Sequence, residues 1–224
     1  MAIYGKGALA FWNGIAPGGD AEFLAWHVSE HIPERVGLPG FLRGRRYIAA
    51  SGFPRYFNFY ETETVEVLES PDYKDRLNDP TPWTTSVIAT FRDTSRTVCS
   101  VAHTHGIGEG AWMETIRFGF PEKRAACRDA IVELLESLPK NTPLSGAHLL
   151  TGTAPEAPAN TKELALRGRP DEHIDGVILI ESADREEIER LASSVLSDEA
   201  LGRLGLQSLC RGIYQLQFSL SAQA

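Results

Sequence analysis

Residues 26–47 read WHVSEHIPERVGLPGFLRGRRY and lead from a helix through a turn into a strand. Leu24, Val28 and Ile32 recur at intervals of four, which predicts an amphipathic helix over this part of the chain. Pro33 disfavours helical geometry at the residue before it, so we expect this helix to end within its next few residues. The proline- and glycine-rich turn then precedes an extended segment, as in a β-α-β unit.

The same reasoning, extended outward, predicts the order β-α-β-β-α-β twice along the chain. Apolar or alternating runs predict strands at residues 8–14, 41–50, 55–62, 96–105, 112–120, 146–152, 175–182 and 207–220. Apolar residues at helical spacing predict further helices within 64–94, 122–138 and 184–196. Asp20 is the expected N-cap of the first helix.

The repeated order predicts an α+β fold of two tandem ferredoxin-like βαββαβ units. The first unit spans residues 1–105, the glycine-rich linker 106–111, and the second unit 112–224. Each unit leaves one sheet face bare, and packing the two sheets together forms an α/β barrel. Residues 153–173 are long for a loop and are either a lid or a surface excursion.

Composition limits the functional classes. The 42% hydrophobic and 23% charged content is that of a globular protein, and the net charge of −8 argues against nucleic acid or an anionic membrane as partner. We find neither a signal peptide nor an apolar run long enough to span a membrane. Three scattered cysteines predict no disulfide framework, and we expect a cytoplasmic protein.

Trp26, His27, His31, Pro33 and the Pro-Gly-Phe of residues 39–41 form a pattern that resembles the EthD-like proteins of the dimeric α/β-barrel superfamily. The resemblance implies a barrel formed by two identical chains or, in a tandem chain, by one; a homodimer of such chains stays an alternative. It also implies a pocket for a small, apolar or aromatic molecule. The superfamily includes cofactor-free isomerases, cyclases, dehydratases and decarboxylases, quinone-forming monooxygenases and heme-handling enzymes.

The pentapeptide HVSEH also has the H-x-x-E-H spacing of a zinc-protease helix, in which two histidines bind the metal and the glutamate is the general base. Zinc needs a third protein ligand, and protease helices continue well beyond their second histidine, whereas Pro33 follows His31 closely. Glu109 could supply a ligand but lies in the linker. We therefore predict no metal site and no catalytic role for Glu30.

His31 and His27 are the predicted catalytic residues. Both lie at the edge of the apolar helix face, where partial desolvation and a near-neutral pKa suit proton transfer. The alternative is structural: His31 would complement the helix dipole at the C-terminus, and His27 would be a surface residue. Four of the six histidines lie in the first 105 residues, so we expect the first unit to carry the site, inside the barrel, and the second to be mainly structural.

Further residues are predicted to contact a substrate. His103 alternates with His105 on the last strand of the first unit, and Arg46 could neutralise a carboxylate or an enolate. Arg43 and Arg45 fall on the opposite face of that strand and are expected to be solvated. The aromatic candidates, each with a core-packing alternative, are Tyr60, Trp83 and Trp12.

These residues predict a cofactor-independent lyase, dehydratase or isomerase that uses histidine acid–base chemistry on a small apolar or aromatic carbonyl compound. One alternative is a heme-binding monooxygenase or peroxidase-like enzyme with a histidine as axial ligand. A further alternative is a non-catalytic protein that binds a small molecule.

Overall fold

Eight antiparallel strands form a closed barrel in the computed structural model, which describes residues 3–153, 161–168 and 170–223. The strands are β1 Gly7–Ile15, β2 Phe41–Gly52, β3 Tyr56–Thr62, β4 Phe91–Gly106, β5 Trp112–Gly119, β6 Leu144–Gly152, β7 Gly176–Ser182 and β8 Gln207–Ser221. The α-helices are α1 Asp20–Trp26, α2 Ile32–Val36, α3 Pro71–Asn78, α4 Pro82–Ile88, α5 Arg124–Glu136, α6 Lys162–Arg167, α7 Arg185–Ala192 and α8 Asp198–Arg203.

The strand order confirms the predicted fold class. Around the barrel the strands run β4-β1-β3-β2 and then β8-β5-β7-β6, so each half has the order of a ferredoxin-like sheet. The pairs β2–β8 and β4–β6 join the two halves and close the barrel. Because closure pairs every strand on both sides, the barrel leaves no sheet edge open.

Strand alternation separates an interior from an outer layer. Side chains such as Trp12, Phe57 and Tyr214 point inward and fill the barrel. The alternate residues point outward and pack beneath the helices of their own half. None of the described helices is long and apolar enough to cross a lipid bilayer.

An ion network occupies part of the barrel interior. Arg45 is fully buried, with Nη1 3.0 Å from Glu181 and Nη2 2.9 Å from Glu61. Arg43 is also buried, and its Nε donates to Glu61 at 2.8 Å. The prediction that Arg43 and Arg45 are solvated is therefore wrong, because residues on that face of β2 point into the closed barrel, where carboxylates compensate their charge.

A π-helical turn, His27–His31, joins α1 to α2. The N–H of Ile32 donates to the carbonyl of His27, five residues back, and Ile32 itself has helical φ and ψ of −64° and −46°. The expected exclusion of Ile32 from the helix is thus wrong. Pro33 has no N–H and cannot continue the regular ladder, and the wider turn just before it lets the helix continue through the proline.

Two further expectations concern the start of the first helix and the segment 153–173. The first helical residue is Asp20, while Gly19 is the N-cap, so the predicted capping role of Asp20 is wrong. Its carboxylate instead accepts a hydrogen bond from the Tyr56 hydroxyl at 2.7 Å. The segment 153–173, predicted as a lid or excursion, contains residues 154–160 and 169, which lie outside the described residues.

Candidate functional site

A cavity lies between the outer face of the first unit's sheet and the helices that cover it. Its enclosed volume is about 70 Å³, and one side opens to solvent. Its apolar wall is mostly aromatic and includes Phe11, Trp26, Phe41, Tyr60, Tyr73 and Phe91. The site was expected inside the barrel, but side chains fill that interior, and the cavity is on the opposite face of the same strands.

The π-helical turn brings the two histidines of the first helix to this cavity. His27 and His31 both line it, with ring centroids 5.4 Å apart and nearly parallel planes. Phe23 stacks on His27 at 5.1 Å, and the Trp26 ring lies 4.3 Å from that of His31. Aromatic packing therefore holds both imidazoles at defined positions on the cavity wall.

Tyr60 positions His27. Its hydroxyl oxygen lies 3.1 Å from Nε2 of His27, and burial raises the pKa of Tyr60 far above its ordinary value, so the phenol stays protonated. A phenol that donates to Nε2 leaves the imidazole proton of His27 on Nδ1. The Nδ1 atoms of His27 and His31 are both buried, and neither has a hydrogen-bond partner among the described residues.

Both histidines are neutral at physiological pH. Burial lowers the pKa of His27 well below its ordinary value, and Arg46 and Arg35 lower it further. Burial likewise lowers the pKa of His31, with added effects of Arg35, His27 and Arg167. The same positive potential that disfavours an imidazolium favours an anion in the cavity.

The second unit completes the wall. Glu163 and Arg167 of α6, with Asp171 after it, line the cavity. Glu163 accepts a hydrogen bond from buried Arg35 of α2, and Arg167 donates to Asp171 at 2.8 Å. Sequence reasoning missed these residues, because their contact with the first unit is long-range and no local pattern marks it.

Arg96 on β4 and Asn58 on β3 are two other cavity residues that sequence reasoning did not select. Arg96 donates to the Tyr73 hydroxyl at 3.0 Å. Asn58 donates to Asn13 at 2.8 Å, but its own carbonyl oxygen is buried, with no partner in the part of the chain that the structure describes. Strand alternation could have found Asn58, since it shares its face with Tyr60.

Three of the predicted site residues, His27, His31 and Tyr60, meet at the cavity. Arg46 lies on the same outer sheet face but donates to the carbonyl of Leu24 and to Gln217, and it does not line the cavity.

The remaining three predicted residues lie elsewhere. Trp12 points into the barrel and stacks on Phe57 at 4.6 Å, because strand alternation directs it away from the helices. Trp83 packs against the helix layer and donates to Glu22. His103 lies in the part of β4 that pairs with β6, away from the first unit's helices.

Glu30, the glutamate of the HVSEH motif, has structural partners. Its Oε1 accepts hydrogen bonds from the hydroxyls of Thr81 and Thr84 at 2.6 and 2.8 Å and from the Trp26 indole at 3.2 Å. These bonds connect the first helix to the start of α4. Among the described residues, no three histidine, cysteine, aspartate or glutamate side chains are grouped to hold a metal ion.

Comparison with known proteins gives structural neighbours only. No model of a known protein family matches the chain, and no curated protein matches it. An anthrone oxidase-like protein superposes with a TM-score of 0.69 at 15% identity, covering 100% of this chain and 97% of its own. A protein of Fusobacterium nucleatum, provisionally assigned as a monooxygenase, gives 0.61 at 10%, covering 99% and 100%.

A heme-binding protein of Thermus thermophilus gives a TM-score of 0.56 at 8% identity, covering 96% of this chain and 92% of its own. At such identities the likeness shows the fold alone. The resemblance to EthD-like proteins is not tested by these neighbours and stays a prediction.

Proposed function

We propose that the protein is a cofactor-independent enzyme that removes a proton from a small aromatic compound bearing a carbonyl or phenol group, with His31 as the base. The observation that carries this proposal is the pair of neutral imidazoles in an aromatic cavity, each with an unpartnered buried nitrogen. A neutral imidazole accepts a proton, and an apolar cavity excludes the water that would compete for it.

The two histidines differ in their hydrogen-bond partners and therefore in the roles we assign to them. The Tyr60 hydroxyl engages Nε2 of His27 and so favours a donor at Nδ1, which suits His27 to orient a substrate oxygen. His31 has no comparable bond to a described side chain and can accept the proton. Trp26 and Phe91 on the cavity wall provide flat faces against which an aromatic ring packs.

The charge of the wall supports formation of an anion. Burial and then Arg35 and Arg167 lower the pKa of His31, and the same positive field lowers the pKa of a bound carbon acid or phenol. The barrier to proton removal falls because the enolate or phenolate is stabilised where its charge develops.

The resulting anion has two fates. Return of the proton at another atom gives an isomerisation, and loss of a neighbouring hydroxyl group, which leaves as water with a proton, gives a dehydration, as the sequence suggested. Alternatively, dioxygen oxidises the anion: a methylene beside the ring becomes a carbonyl, and one molecule of water is the second product. The names of the anthrone oxidase-like and Fusobacterium neighbours favour the oxidative fate.

Heme binding is the alternative, favoured by the Thermus neighbour of the same fold. The residues of the cavity do not fit the group: the Tyr60 hydroxyl already engages Nε2 of His27, and the Trp26 ring packs 4.3 Å from the ring of His31. Addition of hemin should therefore produce no Soret band that depends on His27 or His31.

Proton removal can be measured without knowing the natural substrate. In D₂O without dioxygen, the wild-type protein should accelerate deuterium incorporation at the benzylic carbon of 2-tetralone, a bicyclic ketone, above the buffer rate. His31→Gln should lower this rate by roughly 100-fold or more. His103→Gln is the matched control and should keep the rate. Full exchange by a folded His31→Gln protein would contradict the proposal, and dioxygen uptake by the wild type would distinguish the oxidative fate.

A further inference from the structure

The charged side chains around the cavity do not cancel. Among the described residues that line it, three guanidinium groups face two carboxylates: Arg35, Arg96 and Arg167 against Glu163 and Asp171. With both histidines neutral, these lining side chains sum to one positive charge; Glu34, which also pairs with Arg35, lies outside the lining and is shared with Arg76. An uncompensated charge beside an apolar wall is costly, and a ligand of charge −1 would compensate it.

The excess charge is located at Arg96. Arg35 is paired with Glu163 and Glu34, and Arg167 with Asp171. Among the described residues, Arg96 has no carboxylate within ion-pair distance; Asp171 and Glu163 stabilise its charge from farther away, and its side-chain hydrogen-bond partner is the neutral hydroxyl of Tyr73. Of the three arginines, it is therefore the one whose charge a ligand can neutralise without breaking a bridge.

Other orphaned polar atoms on the same wall suggest what else the ligand carries. Among the described residues, the Asn58 carbonyl oxygen and Oδ1 of Asp171 are buried acceptors without a partner, and Nε of Arg167 is a buried donor without one. Buried polar groups of this kind are costly unless a ligand satisfies them. Hydroxyl groups on an aromatic ring would donate to the two acceptors.

We propose that the cavity recognises its substrate as an aromatic monoanion, with Arg96 as the residue that binds the anionic group. That the bound anion is a substrate rests on the proposed function, whereas its binding does not depend on turnover. Two sources of the negative charge share this chemistry: a carboxylate that the ligand brings, and an oxyanion formed in the cavity when a phenol or enol loses its proton.

Two bicyclic probes of nearly equal shape test the first source. 2-Naphthoate should bind the wild-type protein at least tenfold more tightly than neutral 2-naphthamide, measured by calorimetry or protein NMR at pH 7. Arg96→Gln should reduce this ratio to about one while keeping the affinity for the amide, which shows that the cavity is intact. Arg92→Gln, an exposed arginine on the same strand, is the matched control and should keep the ratio.

A third probe tests the second source. Bound 2-naphthol, followed by its phenolate absorbance, should ionise at a lower pH than free 2-naphthol, and Arg96→Gln should reverse that shift. Dependence on Arg96 in either measurement supports the inference and identifies the source. If neither the naphthoate preference nor the naphthol shift exists in the wild type, or if both survive Arg96→Gln, the inference is overturned.

Failure of the proposed function has a different signature. His31→Gln should lose deuterium exchange but keep the preference for naphthoate, because Arg96 is untouched. A protein that prefers naphthoate but never exchanges 2-tetralone would refute proton removal and retain anion recognition.

Discussion

Protonation of the two helix histidines should destabilise the folded protein below about pH 6.5. In the unfolded chain, His27 and His31 titrate near their ordinary pKa of about 6.5. In the folded protein, burial and then nearby arginines hold both pKa values well below that. The unfolded state therefore binds more protons as the pH falls, and the free energy of unfolding falls with it. Above pH 6.5 both histidines are neutral in the folded and in the unfolded state, so they no longer change the free energy of unfolding with pH.

The size of the effect follows from burial. A histidine that stays neutral in the folded state costs about 1.4 kcal/mol between about pH 7.5 and about pH 5.5, since one pH unit below the unfolded pKa is worth about 1.4 kcal/mol. His27 is 2% exposed and should contribute this in full. His31 is only partly buried, because its ring borders the cavity, so its contribution is smaller. Together they should remove between about 1.4 and about 2.7 kcal/mol.

Urea unfolding at several pH values measures this directly. The wild type should lose stability between pH 7.5 and 5.5, and the His27→Gln/His31→Gln double variant should lose less by the stated amount, whatever its stability at neutral pH. His105→Gln, which changes an exposed histidine, should follow the wild type. Parallel curves for the wild type and the double variant would refute the neutral, desolvated state of the pair, and with it the electrostatic basis of the site.

Three other substitutions test separate parts of the structure. Glu163→Gln should cost about 3 kcal/mol of unfolding free energy, because it leaves buried Arg35 without its main partner; a loss below about 0.5 kcal/mol would contradict that bridge. Ile178→Ala should cost about 2–5 kcal/mol in the second unit's core yet leave 2-naphthoate binding unchanged. Burial alone would raise the pKa of Glu181, but Arg45 and His148 lower it to about 2; Glu181→Gln should therefore cost about 3 kcal/mol at neutral pH, seen as a lower midpoint in urea.

The architecture could be predicted because its determinants are local. Alternating or apolar runs identify the strands, and the order β-α-β-β-α-β leaves few ways to pair them. The closed barrel follows because each sheet has a face that its own helices do not cover. The conformation of residues 27–33 was harder, because the rule that proline restricts its predecessor assumes a regular α-helix, and a π-helical turn relaxes it.

The cavity could be predicted only in part. Helix periodicity places His27 and His31 beside the face of the first helix that packs on the sheet. Strand alternation places Tyr60 on one face of its strand, so all three could be selected from the sequence. Glu163 and Arg96 were not predicted, since Glu163 lies in the other unit and Arg96 is one arginine among many in the chain. Which of two strand faces carries the cavity also depends on barrel closure, and for this reason the site was expected inside the barrel, on the face that carries Trp12.

The two units of the same chain provide an internal comparison for the cavity. Under the second unit's helices, the outward residues of β7 are Ile178 and Ile180, part of a continuous hydrophobic core. The corresponding face of β3, the third strand of its unit, carries Asn58 and Tyr60. The third strand of the second unit thus packs in this layer with apolar side chains.

The first unit instead keeps buried polar atoms without partners on His27, His31, Asn58 and Asp171. Each such atom costs about 1–3 kcal/mol, which burial of aliphatic groups would avoid. Binding of a polar ligand would satisfy those of these atoms that face the cavity. Addition of 2-naphthoate should accordingly raise the unfolding midpoint of the wild type, and Asn58→Leu should weaken that shift. A shift of the same size in the Asn58→Leu protein would mean that Asn58 serves its hydrogen bond to Asn13 rather than the ligand.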